Sequence, residues 1–108
     1  MRRHLPRAAD LPALAAFVRG YLHEDVIAEY GSAPDAATAF AHDASPEERR
    51  LLADDLDRLA HAFQGQPVGR LSRYFTEELR ASWTPSTVAD LRLLIARLES
   101  PDGSSTLR

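Results

Sequence analysis

Ser45-Pro46-Glu47-Glu48-Arg49-Arg50-Leu51-Leu52-Ala53-Asp54-Asp55-Leu56-Asp57-Arg58-Leu59-Ala60-His61-Ala62-Phe63-Gln64-Gly65 is the stretch that decides the fold. Ser45 can accept a backbone N–H as a helix cap. Pro46 has its φ preset for the first helical position, and Glu48 stands at the reciprocal spacing of a capping box. Leu52, Leu56, Leu59 and Phe63 recur at helical intervals, with Leu51 and Ala60 beside them, so one apolar stripe runs along the helix. Gly65 supplies the backbone freedom for a stop. The opposite face carries Glu47, Arg50, Asp54, Asp57 and His61. Acids three residues apart share a side of a helix, so this face is expected to be acidic towards solvent.

The same punctuation recurs on both sides of this helix. Upstream, Asp10 is placed to cap a first helix with Pro12 in its first turn. Leu11, Leu14, Val18 and Leu22 give its stripe, widened by Phe17 and Tyr21. Gly20 weakens that helix by up to ~1 kcal/mol relative to Ala and is a place for something to approach the backbone closely. Residues 22–27 either extend this helix or form an ordered loop. A short second helix has Ser32 as cap, Pro34 in its first turn and Asp35 at the capping-box position. Ala36, Ala37, Phe40 and Ala41 form its inner face, and the small side chains point to close helix–helix approach. Downstream, Pro67 opens a fourth helix through Leu71 and Tyr74, with Phe75 near its end. Residues 76–83 are ambiguous, because Glu77 to Arg80 favour helix while Thr84-Pro85 breaks it. The last helix has Thr84 as cap, Pro85 leading, and Val88, Leu91, Leu94, Ile95 and Leu98 as its buried stripe. No strand-like alternation occurs. The expectation is an all-α, single-domain bundle of about five helices over residues 10–99, with flexible ends at 1–9 and 100–108.

Composition agrees with one globular domain: 108 residues, 44% hydrophobic and 27% charged, with no cysteine. Without Cys there is no thiol catalysis, redox switch or Cys-ligated zinc. No apolar run approaches the ~18 residues of a membrane span. The basic start Met1-Arg2-Arg3 is followed by no signal h-region, so a cytoplasmic protein is expected. The net charge of -3 is unevenly spread. Residues 24–57 hold ten acids against Arg49 and Arg50, a balance of -8, whereas residues 1–23 carry +3 and residues 58–108 carry +2. An acidic middle repels phosphate and attracts basic surfaces. It serves equally as a solvated helix face with no partner.

Chemistry is sparse. His23, Glu24 and Asp25 are consecutive, so on a helix they diverge and cannot converge on one metal. In a loop two of them could. His42 and His61 read as surface helix residues, and no paired helical His motif exists. Gly65 and Gly69 flank no strand, so there is no phosphate loop. The paired carboxylates lie on exposed helix rather than in a cleft that would perturb them. Neither catalysis nor a cofactor nor a metal is therefore expected. Arg70, Arg73, Arg80, Arg92 and Arg97 are interleaved with Glu77, Glu78, Asp90 and Glu99, which is not the footprint of a nucleic-acid binder. Tyr74, Phe75 and Trp83 are expected to pack beside the last helix.

The stretch from Phe17 to Ser32 resembles the start of the small bacterial immunity proteins of contact-dependent growth inhibition systems. That pattern is an aromatic near the end of the first helix, then His, a polar residue and Asp, then a short spacer to Tyr-Gly-Ser. Tyr21, His23, Asp25, Tyr30, Gly31 and Ser32 occupy those places. The order that follows is also similar: a short Ala-rich helix, a Ser-Pro-Glu-Glu start to a Leu-rich helix, and a last helix with regular Leu, over about residues 10–98. Two departures are Val26, where an aromatic is common, and Trp83, which precedes the last helix instead of lying in it.

The resemblance implies a non-enzymatic cytoplasmic protein that binds a cognate toxin domain as a heterodimer and blocks it, the toxin typically being a nuclease. It implies no nucleic-acid or membrane partner. The motif has two readings, as toxin contacts through His23, Glu24 and Asp25, or as the support of the turn into the second helix. Recognition of one toxin suits exposed acids better than a family-wide motif. The interface candidates are therefore Glu47, Asp54 and Asp57, with Asp43 and Asp55 nearby. The alternatives are a helical interaction or nucleic-acid-associated regulatory module, and a metal-dependent hydrolase on His23 and Asp25.

Overall fold

The computed structural model describes residues 6–22, 32–67, 69–81, 84–85 and 87–99. A 3-10 helical turn at Ala8–Asp10 precedes five helices: α1 (Pro12–Tyr21), α2 (Ala33–Asp43), α3 (Pro46–Phe63), α4 (Arg70–Glu77) and α5 (Val88–Glu99). The protein is all-α, and among the described residues there is no strand.

α3 sets the frame. Its capping box closes in both directions: Glu48 N–H donates to Ser45 Oγ at 3.1 Å, and Ser45 N–H donates to Glu48 Oε1 at 2.9 Å. The helix ends at Phe63, and Gly65 follows at a φ of +85°, a backbone state that costs glycine little. Leu52, Leu56, Leu59, Ala60 and Phe63 are buried. Leu51, expected beside them, is instead 48% exposed. One residue is a 100° rotation on a helix, enough to carry it off the stripe.

α5 packs chiefly along α3 and then on α2, while α1 lies against α3 and α2. The inner residues of α2 are Ala33, Ala36, Ala37 and Ala41, small enough to let two helices approach closely. Ser32 Oγ caps α2 by accepting the Asp35 N–H at 3.2 Å. The Asp35 carboxylate turns to α5, where Arg97 Nη1 is 3.3 Å from Oδ1. Leu91, Leu94 and Leu98 of α5 complete the core.

Three expected helix starts shift. α1 is not capped by Asp10, whose Oδ2 accepts the Arg7 N–H at 3.1 Å and closes the 3-10 turn. Leu11 takes the cap position and has no acceptor to offer. Asp55 of α3 supplies it instead, with Oδ2 accepting the N–H groups of Ala13 at 2.9 Å and Leu14 at 3.0 Å. A carboxylate there also meets the positive end of the α1 dipole. α4 begins at Arg70 and not at Pro67, because Gly69 adopts a φ of +99° and the Arg70 N–H bonds to Pro67 O in a turn. α5 begins after Thr87 and not after Thr84. The Thr87 N–H donates to the Asp90 carboxylate at 3.4 Å, the return half of a capping box.

Beyond α4 the ambiguous stretch unwinds into the core. Arg80 takes a φ of +58°, the Ala81 N–H reaches Phe75 O at 2.9 Å, and Leu79 and Ala81 are buried. Phe75 is fully buried and Tyr74 partly so; Trp83 lies outside the described residues. Residues 6–9, expected within a flexible end, are fastened to this region. The Ala8 N–H donates to Glu78 Oε2 at 2.8 Å, and the Tyr74 hydroxyl donates to Pro6 O. Burial, with Glu78 and Asp10 adding to it, pushes the Tyr74 phenol up to about 12. Residues 1–5 and 100–108 are outside the described residues.

Candidate functional site

The expected acids sort by which way α3 turns them. Glu47 and Asp54 are exposed, and neither has an ion-pair partner among the described residues. Arg50 sits between them in sequence and is also exposed. Asp57 is half-exposed and engaged: Arg92 of α5 places Nη1 2.7 Å from its Oδ1, and His61 Nδ1 lies 3.5 Å from Oδ2. Asp43, at the end of α2, is exposed and accepts the Tyr21 hydroxyl at 3.3 Å, a contact that leaves its charge uncompensated.

Asp55 is a correction. Expected beside the exposed acids, it is instead buried with 6% of its surface accessible, and its Oδ2 is committed to the amides of α1. Oδ1 is 3.7 Å from Arg58 Nη1. A buried carboxylate is found paired or hydrogen-bonded, and this one is both.

The acidity of residues 24–57 is thus partly compensated on folding. Arg92 reaches Asp57 and Arg97 reaches Asp35 across the bundle, and Arg58 borders Asp55. Glu47, Asp54 and Asp43 keep uncompensated charge. Among the described residues no three His, Asp or Glu side chains converge as a metal site. No described helix is long and apolar enough to cross a membrane.

An apolar groove adjoins the acids on the other flank of α3. Pro12, Ala13 and Ala16 of α1, Phe40 of α2, and Leu51 and Glu48 of α3 enclose about 390 Å³. Sequence reasoning missed it because Leu51 was counted with the core. The signal was present: Leu51 lies one residue off the Leu52–Leu56–Leu59 spacing.

A family model described as CdiI immunity protein matches residues 10–98. The chain belongs to the CdiI immunity protein family. No curated protein and no solved structure matches it. The CdiI match runs from Asp10 in the 3-10 turn to Leu98 in the last turn of α5, so it takes in all five helices. Of the CdiI-like motif residues, Tyr21 and Ser32 are described. Tyr21 ends α1, stacks on Phe17 with centroids 5.5 Å apart and meets the Phe40 ring edge-on at 5.5 Å. Ser32 is the cap of α2. His23, Asp25, Tyr30 and Gly31 lie outside the described residues, as does Glu24.

Proposed function

We propose that this protein is the immunity partner of a contact-dependent growth inhibition toxin. It acts in the cytoplasm without catalysis of its own, forms a one-to-one complex with the C-terminal toxin domain, and blocks it. Membership of the CdiI family over residues 10–98 is the observation that carries this reading. The uncompensated acids Glu47, Asp54 and Asp43 support a finer one, in which the toxin is a nuclease. A nuclease groove is basic because it holds phosphates, and acidic side chains compete for the same field.

The test is co-expression with the toxin domain encoded immediately upstream, scored by survival and co-purification. The expected result is rescue with a stable complex, and addition of equimolar protein should stop nucleic-acid cleavage by the purified domain. Loss of viability despite soluble expression of both chains would reject the reading. Within it, Glu47→Arg with Asp54→Arg is expected to slow association about tenfold at low salt, less at high salt, and to leave the fold intact. An unchanged association rate would move the interface off α3.

A further inference from the structure

We infer that the groove between α1 and α3 seats an apolar side chain of the toxin domain that is flanked there by Lys or Arg; this rests on the immunity reading above. The groove is open to solvent and lined in part by exposed residues. Leu51 is 48% exposed, and Pro12 and Ala16 are exposed beside it. Its floor is firm. Phe40 is held edge-on by Phe17, with centroids 5.4 Å apart, and by Tyr21, so little ordering is left to be done on binding.

Charge commits the occupant. Glu48 lines the groove itself, and Glu47 and Asp54, one turn before and one turn after Leu51 on α3, stand beside Leu51 on the flank turned away from α1. Among the described residues no Arg lines the groove. Arg58 stands at its far end beside Asp55 and bonds to Asp10 O, and Arg50 lies beyond Glu47 and Asp54 around the helix. The Asp55 carboxylate at the wall is used up by the α1 amides. An uncharged or acidic anchor would gain nothing from that rim, whereas an apolar residue with basic neighbours meets both its parts. Leu93 of α5 is also exposed, at 45%, but it does not line this groove. The division of labour follows: rim acids set the encounter rate, and the filled groove sets residence.

Leu51→Ser and Ala16→Gln change no charge and alter exposed positions. Each would be measured by binding kinetics of the full chain against the upstream-encoded toxin domain, alongside thermal melting. The expected result is dissociation about tenfold faster with the association rate and melting temperature near wild type. Wild-type dissociation for both variants would overturn the groove while leaving immunity standing. A wild-type chain that neither binds nor protects would overturn both. Sedimentation of the free protein closes the remaining route: a dimer that Leu51→Ser dissociates would assign the groove to a second copy and overturn the proposal.

Discussion

At Asp55 one carboxylate oxygen takes two amide protons from another helix, at 2.9 and 3.0 Å. Its chain neighbour Asp54 points to water. A single 100° step separates a carboxylate that holds the bundle together from one free to meet a partner. Asp55→Ala would strand two donors at the start of α1, one of them buried, and is expected to cost about 1–3 kcal/mol. Asp54→Ala is expected to stay within about 0.5 kcal/mol. Denaturant titration of the two single variants checks the contrast, and equal losses would refute it. The difference was legible in part. Asp55 falls three residues after Leu52 and four before Leu59, on the apolar side of the helix. What the sequence could not supply was the uncapped end of α1 that the carboxylate serves, 41 and 42 residues away.

Among the elements, α3 was readable throughout because three signals agree: cap, stripe and stop. α4 and α5 were readable in kind and misplaced in onset. Proline at 67 and 85 fixes φ but does not itself start a helix, and the turn at Gly69 and the bond between Thr87 and Asp90 decide where winding begins. In α1 no described residue makes the close backbone approach expected at Gly20. A Cβ built there meets nothing within 4 Å. The glycine therefore weakens α1 at an exposed position without a packing return among the described residues. Gly20→Ala is expected to stabilise the fold by about 0.5–1 kcal/mol, read as a higher denaturant midpoint. A loss of stability would show that residue 20 needs its missing side chain.

Across the whole molecule, folding rearranges the charge that looked segregated along the chain. The most acidic segment meets arginines of α5 at Asp57 and Asp35, which no linear count anticipates. The candidate site shrinks accordingly to Glu47, Asp54 and Asp43, with the Leu51 groove beside α3. The basic residues also shape the pH response. The chain has no Lys and no Cys, so its three tyrosines are the side chains that titrate in the alkaline range. Tyr74, partly buried and bonded to Pro6 O, is pushed up to about 12 from an unfolded value of about 10. A raised folded value means its contribution is complete below about pH 10 and is lost as pH climbs through about 12. Stability is expected to fall over that window, and Tyr74→Phe to flatten the fall while lowering stability at neutral pH by about 1 kcal/mol. An identical alkaline profile in the variant would count against the assignment.

The cap that Asp55 lends to α1 also orders events in time. α1 is ten residues long and lacks an acceptor of its own at its start, short of the ~12–15 residues at which an isolated helix becomes even marginal. α3 has eighteen residues and a closed capping box. During synthesis residues 12–21 leave the ribosome before α3 does, and the carboxylate that completes their first turn is made more than forty residues later. α1 is therefore made before the helix that caps it, and its first turn is completed only on a partner the chain has still to produce.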